Sequence, residues 1–142
     1  MSDPTPSISD RQVKHLEMIQ AIVTRLGNGS FLIKGWTMTL AGAFLGFAVN
    51  RSSWKVSAVA VVPLFGFWIL DSYYLRQERL FRALYEEVRQ PGTSVELFSM
   101  NTYPYKSSIK WRKVVVSHTM VNFYGLLVAV MVAAAIWWYV KK

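Results

Sequence analysis

Cysteine is absent from the 142-residue chain, which removes disulfides, thiolate nucleophiles and cysteine-ligated metals together. Acidic residues are scarce: eight Asp and Glu stand against sixteen Lys and Arg, a formal charge of +8. There is no HExxH pair, nucleophile elbow, glycine-rich phosphate loop or set of carboxylates at metal-ligating spacing. No catalytic, cofactor-binding or metal site is therefore read in the chain, and an enzyme is not expected. No segment shows the ~10-residue inside-outside alternation of an outer-membrane strand, which argues against a β-barrel. The first 30 residues lack the apolar run of a secretory leader and carry Asp3, Asp10 and Glu17 among their basic residues. The first apolar block is expected to stay in the mature chain.

Apolar residues are abundant, at 53% of the chain with a mean hydropathy of +0.25. They gather in three blocks, about 31–49, 56–75 and 114–140. Each is near the ~20 residues that a helix needs to cross ~30 Å of hydrocarbon. In lipid such blocks must be helical, because a helix satisfies all of its own backbone polar groups. The expected class is all-α: an amphipathic N-terminal helix, three transmembrane helices with the first two as a hairpin, and a helical cytoplasmic loop. The expected divisions are 1–30, 31–75, 76–113 and 114–142.

The positions of the basic residues set the orientation. Four precede or begin the first block (Arg11, Lys14, Arg25, Lys34) and two follow it (Arg51, Lys55). Eight lie in the second loop (Arg76, Arg79, Arg82, Arg89, Lys106, Lys110, Arg112, Lys113) and two end the chain (Lys141, Lys142). Three crossings put twelve on one side and four on the other, so the richer side is read as cytoplasmic. The chain is thus expected in the bacterial inner membrane, with a cytoplasmic N-terminus and a periplasmic C-terminus. The basic excess is read as topological and lipid-facing rather than as a nucleic-acid surface.

Residues 1–8, with two prolines, read as a loose tail. Ser9 and Gln12 form a capping-box signature, and Val13, Leu16, Ile19, Ile22, Val23 and Leu26 recur at helical spacing, predicting an amphipathic helix over 10–26. It either lies on the inner leaflet or packs on the helix after the second span. Gly27-Asn28-Gly29-Ser30 reads as a glycine stop and a new N-cap, a hinge into the first span. His15 reads as an interfacial side chain. Gly42 and Gly46 form a small-xxx-small pair expected to pack on the second span, with self-association as the alternative. Residues 50–54 form a tight turn, and Pro63 is expected to kink the second span.

The second span continues into water, with Leu80, Phe81, Leu84, Tyr85 and Val88 as an apolar stripe ended by Pro91-Gly92. Arg76, Arg79, Arg82, Phe81 and Tyr85 are expected to dock a partner. Residues 93–105 read as a short strand or extended loop. Ser107 is expected to cap a final helix that starts with Lys110-Trp-Arg-Lys113 and becomes the third span.

Two ionisable residues fall inside apolar blocks, where charge is costly. Lys34 is 18 residues before the middle of the turn near residue 52 and Asp71 is 19 after it, so both lie ~27 Å from the turn. They are expected to pair or to face a common polar vestibule, against the alternative that each snorkels to the interface. On the third span, His118, Thr119 and Asn122 are near-neighbours, with His118 and Asn122 on one face, and this polar face is expected to bond to a neighbouring helix or to line a conduit.

Arg25-Leu-Gly-Asn-Gly-Ser-Phe-Leu-Ile-Lys-Gly-Trp36 and the run from Asp71 to Arg89 resemble a family of short bacterial inner-membrane proteins. The plan of cytoplasmic helix, two-span hairpin and charged helix is similar to the small transmembrane effectors of anti-phage systems, such as the SLATT type. The third span lies outside that plan, and no functional residue is carried over. The resemblance implies an effector that perturbs the membrane when a cytoplasmic sensor, encoded nearby, triggers it. Permeabilisation would require a homo-oligomer, since three helices alone cannot surround a water-filled path. A non-conducting membrane adaptor and a small channel or transporter subunit are the competing readings.

Overall fold

The computed structural model describes residues 8–51 and 53–141. The N-terminal residues read as a loose tail, apart from Ile8, lie outside these, as do Ser52 of the turn and the terminal anchor Lys142. Among the described residues the regular structure is all helical, without strands. Three helices are long and apolar enough to cross a membrane: α1 (Asp10–Arg51), α2 (Trp54–Val88) and α4 (His118–Val140). A short helix, α3 (Trp111–Val115), and a 3-10 turn at Tyr103–Tyr105 lie between α2 and α4.

α1 starts as its sequence directs. Ser9 Oγ accepts from the Gln12 N–H at 3.3 Å, Asp10 lies in the first turn and Arg51 in the last, each charge facing the dipole end that favours it. The helix then runs for 42 residues without a break, so the expected hinge at Gly27–Ser30, and the division at residue 30, are not found. The physical reason is tertiary. Glycine in a helix interior costs ~1 kcal/mol relative to alanine, but here it admits the neighbouring helix. A Cβ on Gly29 would stand 2.7 Å from Tyr74 Cε1 and 2.9 Å from Cδ1, closer than carbon atoms pack. The missing side chain is what lets α2 lie against α1 at this level.

α2 runs antiparallel to α1 after a turn closed by Ser53 N–H donating to the Ala48 carbonyl at 3.2 Å. It is uninterrupted through Pro63 to Val88, and the chain beyond it turns at Gly92, whose φ of +75° is a left-handed conformation open to glycine. α4 packs mainly along α2. At the turn end, Trp54 meets Tyr139 edge-on at 5.8 Å, and Lys141 Nζ lies 4.7 Å from the Trp137 ring centre.

Two cores hold the helices. In the apolar half, Ala41, Ala60, Leu64 and Met131 are buried among Phe44, Leu45, Val61, Leu127 and Val128; the alanines allow close helix approach. In the polar half, Ile19, Val23, Leu84 and Val88 form a second core, flanked by Leu16, Phe81, Tyr85, Val95, Met100 and Tyr105. Burying each large side chain there contributes ~1.5–3 kcal/mol in water. The N-terminal half of α1 thus packs on the extension of α2, one of its two expected placements.

Of the two readings of residues 93–105 the loop holds and the strand does not, because the segment folds back as turns onto the second core. Two further expectations are corrected. His15 is buried, not interfacial: its Nε2 lies 2.9 Å from the Ser99 carbonyl oxygen and its ring 5.9 Å from Phe98. Phe98 itself sits at φ 64°, a strained position for a bulky side chain. Finally, Ser107 does not cap the last helix. α3 begins after Lys110, and the chain breaks again at Ser117, whose extended backbone (φ −66°, ψ 151°) separates α3 from α4.

Candidate functional site

Among the described residues, four of the six buried polar ones lie at one level of the bundle, His15 and Ser57 lying elsewhere. Ser30, Thr37, Asp71 and Ser72 are all buried where the two cores meet. Thr37 and Ser72 turn inward onto their own helices, donating to the Ile33 and Trp68 carbonyls at 2.7 Å each. Asp71, on α2, instead gathers partners from both of the other long helices. From α1, Lys34 Nζ lies 2.5 Å from Asp71 Oδ2 and Ser30 Oγ donates to Oδ1. Lys34 Nζ also donates to Ser30 Oγ at 2.9 Å. From α4, the Tyr124 hydroxyl donates to Asp71 Oδ2 at 3.0 Å.

The local helices explain this convergence. Ser30 and Lys34 are four residues apart and so share one face of α1, and the gap at Gly29 brings that face onto α2. Tyr124 belongs to a π-helical turn, Val121–Gly125, near the start of α4. Such turns recur at functional positions. Its ring stacks on Trp68 at 5.8 Å and 6°, while Trp68 Nε1 donates to the Val115 carbonyl at 3.0 Å. Trp68 therefore ties α2 to both α3 and α4 beside the carboxylate. The adjacent Phe123 ring lies 5.9 Å from Lys34 Nζ, a cation–π contact.

Chemically, the node is a satisfied buried ion pair. Both carboxylate oxygens accept, the Asp71 side chain is fully buried, and the Lys34 side chain keeps 21% of its exposure. Burial of both charges is costly, and attraction offsets the cost only with added hydrogen bonds of this kind. Losing one partner is then expensive, because it leaves an uncompensated buried charge. Among the described residues no group of three His, Asp or Glu could hold a metal ion.

The structure brings Lys34 and Asp71 together and scatters the other expected positions. Gly42 and Gly46 point outward, with nothing within 4 Å of a Cβ on either. They do not pack on α2; Ala41 and Ala48 occupy the buried face instead. His118, Thr119 and Asn122 are exposed on α4, because the π-helical turn and Ser117 direct Met120 and Tyr124 inward in their place. Phe81 and Tyr85 are partly buried against the chain's own polar-half core, beside Ile19 and Val23 of α1. Arg76 Nε donates to the Ile109 carbonyl at 3.0 Å, and Arg82 pairs with Glu78 at 2.7 Å. Arg79 makes no ion pair among the described residues.

Tyr124 is the residue that the sequence reading missed. The available signal was a phenol inside an apolar block, far from the aromatic cluster at 137–139. Comparison with family models, with curated proteins and with solved structures finds no match to this chain.

Proposed function

We propose that the chain is a multi-pass protein of the bacterial inner membrane, with residues 76–113 in the cytoplasm, that self-associates and permeabilises the membrane when a cytoplasmic partner acts on it. The observation that carries this reading is the Lys34–Asp71–Tyr124 node. It lies between the polar-half core and the apolar-half core and touches all three long helices. Because α1 and α2 pass through that boundary unbroken, a displacement imposed on the cytoplasmic half is delivered to the membrane half. Antiviral defence as the setting rests on the likeness of the general plan, a cytoplasmic helix, a two-span hairpin and a charged helix, to small transmembrane effectors. The outward Gly42, Gly46, His118, Thr119 and Asn122 are the groups that a homo-oligomer would cover.

Membrane-potential dyes after induction test the reading. With a phage trigger and the neighbouring genes present, wild-type protein is expected to collapse the potential and Asp71→Asn to change the threshold. An unchanged potential under those conditions overturns it.

A further inference from the structure

We infer that α3 and the turn before it form a binding surface for the headgroup of an anionic phospholipid, set at the edge of the third membrane helix. Residues 106–113 hold four cations, Lys106, Lys110, Arg112 and Lys113, and no acidic residue. All four are exposed, and among the described residues none lies within 4.0 Å of a carboxylate. Their placement is fixed by two hydrogen bonds to α2. Trp68 Nε1 holds the Val115 carbonyl and Arg76 Nε holds the Ile109 carbonyl, each at 3.0 Å. α3 therefore lies beside α2 between residues 68 and 76, the level of Asp71, where the apolar blocks end. The distance from Trp54 to Asp71 along α2 is ~26 Å, close to the thickness of the hydrocarbon, so the cations stand at headgroup depth.

The short helix has the two-sided character that an interface requires. Val114 is buried against the bundle, and Trp111 and Val116 are exposed on the outside at 39% and 67%. The break at Ser117 separates α3 from the axis of α4, so the basic turn is free to lie along the membrane surface. Lys106 Nζ is held 5.3 Å from the Tyr103 ring centre, which limits its freedom before any ligand arrives. Four unpaired cations beside exposed aromatic and aliphatic groups match a phosphate ester joined to acyl chains better than they match a polyanion in water.

This inference rests on the membrane placement proposed above. The test uses the full chain in detergent micelles, titrated with phosphatidylglycerol or phosphatidylcholine and read by thermal shift and by native mass spectrometry of bound lipid. Wild type is expected to retain phosphatidylglycerol in preference to phosphatidylcholine, more weakly as salt rises. Changing all four cations to Gln is expected to abolish that preference, by about fivefold per cation removed. Replacing the three lysines with Arg, or changing the equally exposed Arg11 and Arg25 to Gln, is expected to preserve it. Equal retention of the two lipids, salt-independent retention, or retention by the Gln variant overturns the inference. So does displacement of phosphatidylglycerol by an RNA oligonucleotide or an acidic peptide at equal charge, which would mark a macromolecular surface. Carbonate extraction of cell membranes separates the two failures. Release of the chain into the supernatant sinks the membrane placement, whereas retention without lipid preference sinks the headgroup site alone.

Discussion

Tyr124 donates its hydroxyl to Asp71 Oδ2, the same oxygen that receives the Lys34 ammonium, so one carboxylate oxygen links the third helix to the first. Tyr124→Phe removes this link and leaves the ring stacked on Trp68. The expected loss is about 1.5 kcal/mol, between the ~0.6 typical of bonds joining membrane helices and the ~3 reached by bonds to charge. Hydrogen exchange checks it: protection should fall over residues 118–126 and persist in α1.

The two partners of the ion pair are unequal. Asp71 is fully buried and Lys34 keeps a route to the surface. Lys34→Met strands a buried carboxylate and should cost about 3 kcal/mol. Asp71→Asn leaves a lysine that can extend outward along its stem, and should cost about 1 kcal/mol. Thermal unfolding of the two variants in one detergent gives the comparison, and equal losses would contradict this asymmetry.

Glycines on α1 should respond oppositely to the same substitution. Gly29→Ala forces Tyr74 aside and is expected to lower stability by about 1 kcal/mol, with Tyr74→Ala relieving the clash in the double variant. Gly42→Ala meets open space in the monomer and should raise helix stability by up to ~1 kcal/mol. If Gly42→Ala instead abolishes cross-linking between copies, a second chain covers that face.

His15→Ala should free the segment that it anchors. The variant leaves the Ser99 carbonyl without its partner and removes the ring beside Phe98, for a loss of about 1–3 kcal/mol. Limited proteolysis should then cut within residues 93–105 while the apolar half stays protected.

Tyr105 supplies a pH dependence. Burial, and then the nearby Glu87 carboxylate, raise the phenol above its ordinary value. A raised phenol means that the folded state holds its proton more tightly than the unfolded chain. Its stabilising contribution is therefore complete below the unfolded value of ~10 and is lost as pH climbs through the folded one. Tyr105→Phe should remove that part of the alkaline loss, which denaturant midpoints at pH 9, 10 and 11 would show.

The helical class and the three apolar blocks were legible because hydrophobic runs report directly on burial in lipid or core. Lys34 and Asp71 were legible as a pair because charge inside such a run is rare and helix rise converts sequence distance into depth. Gly27–Ser30 misled because local propensity reads glycine as a stop, whereas Tyr74, 45 residues from Gly29, determines what the gap is for. The break at Ser117 and the π-helical turn leave no mark on hydrophobic periodicity. For that reason the polar face of His118, Thr119 and Asn122 was assigned an inward role that Met120 and Tyr124 hold.

The unbroken helices give the node a mechanical meaning. Ser30 stands 20 residues from Asp10 and 21 from Arg51, and Asp71 stands 17 from each end of α2. The arms of α1 are therefore each ~30 Å long and those of α2 each ~26 Å. Two balanced levers cross at a common fulcrum, so a tilt about that point that shifts one tip by a few ångströms moves the opposite tip equally far in the opposite direction.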